Sequence, residues 1–115
     1  MPLTNAAKHI MLNALGTAAT QVSLHTGNPG TTGANEVTGG SPAYTRESIT
    51  WNTAASANLD SSNAPVFDVP AGTTVSYFGL WNGSTFLGGV PLSSAETFSA
   101  QGTYTLLDAD VNITD

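Results

Sequence analysis

Leu3, Ala6, Ala7, Ile10, Met11, Ala14 and Leu15 recur at intervals of three and four, the period of one face of an α-helix. Thr4 or Asn5 can cap the start and Gly16 stands where the last turn would end, so the pattern predicts one short N-terminal amphipathic helix over about residues 4–15. Its polar side carries Asn5, Lys8, His9, Leu12 and Asn13, and a helix of about three turns needs a packing partner to persist. From Thr20 the period changes to two. Val22 and Leu24 alternate with Gln21, Ser23 and His25, and Ile49 and Trp51 alternate with Ser48 and Thr50, as in half-buried strands.

Val66 to Val69 resumes strand character before Pro70-Ala71-Gly72 turns the chain, and Thr74 to Trp81 is the most apolar strand, expected inside the sheet. Asn82-Gly83 is the strongest hairpin signal, because a two-residue turn needs positive φ. Phe86 to Leu92 would be the returning strand, followed by Glu96 to Ser99. In the run Thr103 to Thr114, Tyr104 and Leu106 share one phase and Leu107, Ala109, Val111 and Ile113 the other, which predicts a bulge or two successive short strands. Many short strands separated by turns define the expected fold: mainly β, an antiparallel β-sandwich or barrel with that single helix in front.

Between the first two strands lies a Gly/Thr/Asn-rich stretch, about residues 27–43, with Asn28-Pro29-Gly30, Gly33, Gly39-Gly40 and Ser41-Pro42 as successive breakers. A loop this long and this poor in apolar side chains is functional or disordered. Composition argues against disorder: Trp51, Trp81, Phe67, Phe78, Phe86, Phe98 and three tyrosines supply apolar area at strand-like spacing. The 115 residues suit a single domain, 1–115, with one modest core.

Only 9% of the chain is charged, and two cations, Lys8 and Arg46, face eight carboxylates for a net charge of −6. Phosphate-backbone binding needs clustered Lys and Arg, so nucleic acid is not an expected partner; nor is an anionic membrane, and no apolar run approaches the roughly 20 residues that span a bilayer. The N-terminus lacks the continuous apolar stretch of a secretion signal, and a soluble protein is expected. The absence of cysteine excludes disulfides and thiolate metal sites. A surface of Thr, Ser, Asn and Gly loses little side-chain entropy when it packs against neighbours, which suits a subunit of a particle.

Candidate chemistry is sparse. Asp108, Asp110 and Asn112 present oxygen ligands at i, i+2 and i+4 that a calcium ion could use, but the glycine and distal Glu of an EF-hand are missing and a solvated strand face gives the same pattern. Glu36, Glu47 and Glu96 have no hydrolase motif around them, and solvated or Arg-paired carboxylates are the simpler account. His25 lies among Ser and Thr residues without a Gly-x-Ser-x-Gly elbow, so a His at a strand end bonding into the following loop is expected, not a triad. Exposed Tyr44, Trp51, Tyr77 and Trp81 would make a sugar-stacking platform, although aromatics on a sheet are more often core. No cofactor is expected.

The wording of the stretch Val22–Gly40, together with Ala43-Tyr44-Thr45-Arg46, Thr50-Trp51, Phe67 to Val75, Gly79-Leu80-Trp81 and Ala100-Gln101-Gly102-Thr103-Tyr104, resembles a family of small virion proteins. These belong to tailed bacteriophages and prophages of actinobacteria and are labelled tail fibre or head decoration proteins. The resemblance covers nearly the whole chain. It implies a non-enzymatic virion structural protein, made in the bacterial host cytoplasm and placed on the particle surface. The leading expectation is a capsid decoration protein that contacts the major capsid protein or other virion subunits and forms a homo-oligomer there. The alternative is a tail fibre or tail-tip subunit that binds host glycan. Under the first, the helix and the loop make the contacts, through Leu3, Ile10 and Leu12 as apolar anchors and Asn28, Pro29, Asn35 and Glu36 from the loop.

Overall fold

The computed structural model describes residues 2–114. Its N-terminal helix α1 (Asn5–Ala18) starts as the sequence predicts, with Thr4 Oγ1 accepting the Ala7 N–H at 3.1 Å, but it runs through Gly16 instead of stopping there. Gly16 faces Leu59 and Trp51, so the missing side chain lets the helix lie close to the sheet.

Eight strands follow: β1 (Gln21–His25), β2 (Glu47–Ser48), β3 (Asn58–Asp60), β4 (Val66–Val69), β5 (Thr73–Asn82), β6 (Thr85–Phe98), β7 (Gly102–Thr105) and β8 (Asp110–Asn112). A four-stranded antiparallel sheet has the order β2-β1-β5-β6, and two small ribbons pair β3 with β8 and β4 with β7. The two phases of the C-terminal third thus resolve into two separate short strands. Val22, Leu24, Phe78 and Leu80 of the large sheet share one buried cluster with Phe67 and Val69 of β4 and Leu106 and Ala109 beyond β7. The layers close as a sandwich and not as a barrel.

The β5–β6 hairpin turns one residue later than the sequence motif suggests. Asn82 pairs with Thr85, so Gly83 and Ser84 form the loop, with Gly83 at φ 60° in the leading position where only glycine is unstrained. β6 also continues past Leu92 to Phe98, absorbing a segment expected to stand apart. It does so at the cost of a break in register: Val75 pairs with Glu96 and Tyr77 with Pro91, so Leu92 through Ala95 stand opposite Ser76 alone.

The helix is rotated relative to its apolar pattern. Leu12, on the side expected to be polar, is buried against Leu59 and Ala54, whereas Ile10 and Met11 are exposed. Two hydrogen bonds fix that rotation: His9 Nε2 accepts the Ala57 N–H at 2.9 Å and Asn13 Oδ1 accepts the Ala54 N–H at 2.8 Å. Segment 54–57 offers backbone donors that an apolar helix face would strand, so the polar side turns inward.

Candidate functional site

The face of the large sheet that bears Ser23, His25, Gly79 and Trp81 is covered by the loop after β1. All four residues are buried. Strand β1 is therefore buried on both faces and not half-buried as its alternation implied. Four contacts seat the loop. Thr26 N–H donates to Asn35 O and Val37 N–H to Leu24 O, continuing the edge of β1 beyond β2. Gly33 lies against Trp81 and Phe86, where a Cβ would come within 2.8 Å of the indole. Pro29 is fully buried over Gly89, whose missing side chain leaves the space it fills.

Beneath the loop runs a closed hydrogen-bond chain. The Trp81 indole N–H donates to Ser23 Oγ at 2.7 Å, the Ser23 hydroxyl meets His25 Nε2 at 2.7 Å, and His25 Nδ1 meets the Ala34 carbonyl at 2.8 Å. A carbonyl can only accept, so Nδ1 carries the proton and Nε2 accepts from Ser23; each polar atom of the neutral ring is satisfied. Burial holds the His25 pKa below its ordinary value, against the opposing effect of the Ala34 bond. The arrangement contains Ser and His but not a catalytic triad: the group behind His25 is a backbone carbonyl, and both side chains are shut away from solvent. The expectation that His25 bonds into the following loop holds.

A second network clamps the loop from outside. Arg46 donates from Nε to Glu36 Oε2 at 3.0 Å and from Nη2 to Glu36 Oε1 at 2.9 Å, a two-pronged ion pair. Tyr44 Oη donates to Glu36 Oε2 at 2.8 Å and accepts the Leu24 N–H, filling a gap in the ladder of β1. Burial alone would raise the Glu36 pKa; the bonds from Arg46 and Tyr44 outweigh it and hold the carboxyl below its usual range. Burial pushes the Tyr44 phenol well above its ordinary value. The Arg46 guanidinium lies 3.4 Å over the Trp81 ring, so the outer clamp rests on the inner chain.

These contacts redistribute the expected interface residues. Leu12 is core, because it seats the helix, and Pro29 is core, because it plugs the space over Gly89; neither is a surface anchor. Glu36 is held internally by Arg46 and Tyr44. Asn35, at φ 63°, donates to the Asn28 carbonyl, and Asn28 Oδ1 caps Gly30, so both shape the loop while remaining exposed. Leu3 is half-buried and Ile10 is 73% exposed. Tyr44, Arg46 and Trp81 were not picked out together from sequence, since the partners of Arg46 lie ten residues before it and in β5.

Three of the four aromatics expected to make a stacking platform are engaged within the chain, and Tyr77 is half-buried. Trp81 is buried under Arg46, Tyr44 stacks on Phe67, and the Trp51 indole donates to the Ala19 carbonyl beside the helix end. The carboxylate set is also altered. The β3–β8 register puts Asp60 opposite Asp110 and Asn112 opposite Asn58, so the groups that converge are Asp60, Asp108 and Asp110, their oxygens within 4.8 Å of one another. Hydrogen bonding to Asp60 is foremost in pushing the Asp110 pKa up to about 7, with burial and Asp108 adding to it. Such a trio suits a proton shared among carboxylates or a hard cation. It borders a cleft of 370 Å³ whose walls include Val90, Leu92, Tyr104 and Leu107, opened by the excursion at Leu92–Ala95.

Residues 3–114 match the model of the podophage GP4 fiber I protein gp80 family. The chain belongs to this family. Membership in the fiber I family makes it a phage virion structural protein, and the match spans the helix, the clamped loop and every strand. An actinobacterial source and a head address, both part of the resemblance drawn from the sequence, are not carried by the family description. No curated protein sequence matches the chain. Among the described residues, no helix is long and apolar enough to cross a membrane.

Proposed function

We propose that the protein is a non-enzymatic fibre component of a podophage virion, and that its role is to present a rigid loop surface to other virion subunits. The family description names a fiber protein, which supports the fibre reading beside the capsid decoration expected first from the sequence. The observation that carries the role is the pinning of the loop from both sides, by His25 and Trp81 below and by the Glu36–Arg46 pair above. A loop ordered before contact pays its conformational entropy during folding, not during assembly. Exposed Asn28, Asn35 and Thr38 then offer amide and hydroxyl groups with little left to freeze.

Recognition of host glycan draws no support from three of the four aromatics that would have stacked sugars, because Trp81 is covered and Tyr44 and Trp51 spend their polar atoms internally. Scaffolding within the fibre is the reading that fits. Mass spectrometry of gradient-purified particles tests it: peptides of this chain at fixed stoichiometry to the other tail proteins are expected. Their loss from particles of full density would contradict a virion role.

A further inference from the structure

The break in register between β5 and β6 opens the 370 Å³ cleft on the side of the large sheet away from the clamped loop. Phe78 alternates with Gly79 along β5, so it faces the core while Gly79 faces the loop, and with Leu106 it makes the floor of the cleft. Val90, Leu92 and Tyr104 are half-buried walls, and Leu107 stands at the lip with 78% of its surface exposed. One end is acidic. Asp108 and Asp110 line it, and Asp60 converges on them from β3, the three carboxylates bringing oxygens within 4.8 Å of one another.

We propose that this cleft docks a lysine side chain carried by another virion protein, its stem lying along Leu92, Tyr104 and Leu107 and its ammonium sitting among Asp60, Asp108 and Asp110. Charge complementarity names the occupant. The chain carries −6 overall, Arg46 is taken up by Glu36, and three carboxylates this close repel one another until a cation is set among them. A small hard cation would meet the carboxylates and leave the apolar walls in water. A lysine covers both, because its methylene stem packs on apolar surface while its head keeps polar company. The head also fits in kind: an ammonium offers three donors in a compact array to three converging carboxylates, whereas a guanidinium is a planar fork matched to one.

The contact is local. One side chain and its immediate neighbours bury far less than the roughly 800 Å² per partner of a standard stable interface, so the cleft fixes the register of a larger contact and binds weakly by itself. Because the loop lies on the other face of the sheet, this docking stands or falls separately from the role proposed for the loop.

Titration of the isotopically labelled full chain by NMR, at low ionic strength and with EDTA present, tests the proposal with the peptide acetyl-Leu-Lys-Leu-amide as probe. The amide resonances of Leu92, Tyr104, Leu107 and Asp108 are expected to shift, and the peptide to bind about tenfold more tightly than its counterpart acetylated on the lysine Nζ. No shift at these positions would overturn the proposal. Equal binding of the acetylated peptide would overturn the ionic contact and leave an apolar ligand as the occupant, and equal binding of the arginine counterpart would overturn the choice of lysine. The double variant Asp108→Asn, Asp110→Asn changes two exposed side chains and keeps their shape, and is expected to weaken binding by about tenfold. Leu107→Ala, at a site too exposed to disturb the core, is expected to weaken it as well. Unchanged affinity in either variant would equally overturn the proposal.

Discussion

Arg46 stacks on Trp81 at 3.4 Å while gripping Glu36 with two hydrogen bonds, so one of the chain's two cations joins the loop, the sheet and the strand entrance of β2. Removing it leaves a half-buried carboxylate with only Tyr44 for company. Arg46→Ala is expected to cost about 1–3 kcal/mol in urea unfolding, the range for hydrogen bonds to a charged group left short of its partner. Arg46→Lys is expected to recover less than half, because an ammonium can neither fork onto the carboxylate nor stack as a plane. Hydrogen exchange at Asn35 to Val37 should rise in both variants.

His25 gives stability a defined acid dependence. Its folded pKa lies below the unfolded 6.5, so the unfolded state takes up the proton first and stability falls as the pH drops below 6.5. Glu36, with a folded pKa below its ordinary 4.5, acts in the same direction lower down, losing its contribution as the pH falls through its folded value. His25→Gln is expected to flatten the slope just below pH 6.5 and leave the lower limb in place. Guanidinium unfolding across that range, wild type against variant, reads the difference.

Asp110 works in the opposite sense. A carboxyl with a folded pKa of about 7 and an unfolded value of 3.8 binds its proton in the folded state first, so its burden on stability grows as the pH rises between those values. Asp110→Asn keeps a donor for Asp60 and removes the charge. In buffer with EDTA, its melting temperature is expected to exceed that of wild type above pH 7, with the gain shrinking as the pH falls towards 3.8.

Gly79 sits where the inner chain leaves no room. A Cβ there would come within 2.7 Å of both His25 Nε2 and Ser23 Oγ and 2.9 Å of the Phe86 ring. Gly79→Ala is expected to destabilise by about 1–3 kcal/mol through overpacking and to shift the His25 ring resonances. Gly30→Ala, a position with open space but φ 62°, should cost about 1 kcal/mol and leave those resonances in place.

Periodicity and turn chemistry revealed the helix, the central strand β5, the hairpin after it and the bond of His25 into the loop, since each depends on neighbours close in sequence. The rotation of α1 was not legible, because it is decided by backbone donors at Ala54 and Ala57 seeking His9 and Asn13, more than forty residues away. Pro29 reads as a turn former until Gly89 supplies the space it fills. Asp60 joins Asp110 only through the β3–β8 register, so spacing along the chain pointed to Asn112 instead. In each case the missing information is a contact between residues distant in sequence, which local pattern does not encode.

Immunogold labelling of intact particles, counted separately over heads and tails, tests the central claim most directly. Gold confined to the tail and its fibres is the expected result. Gold spread evenly over the head would contradict a fibre component and return the protein to the capsid surface.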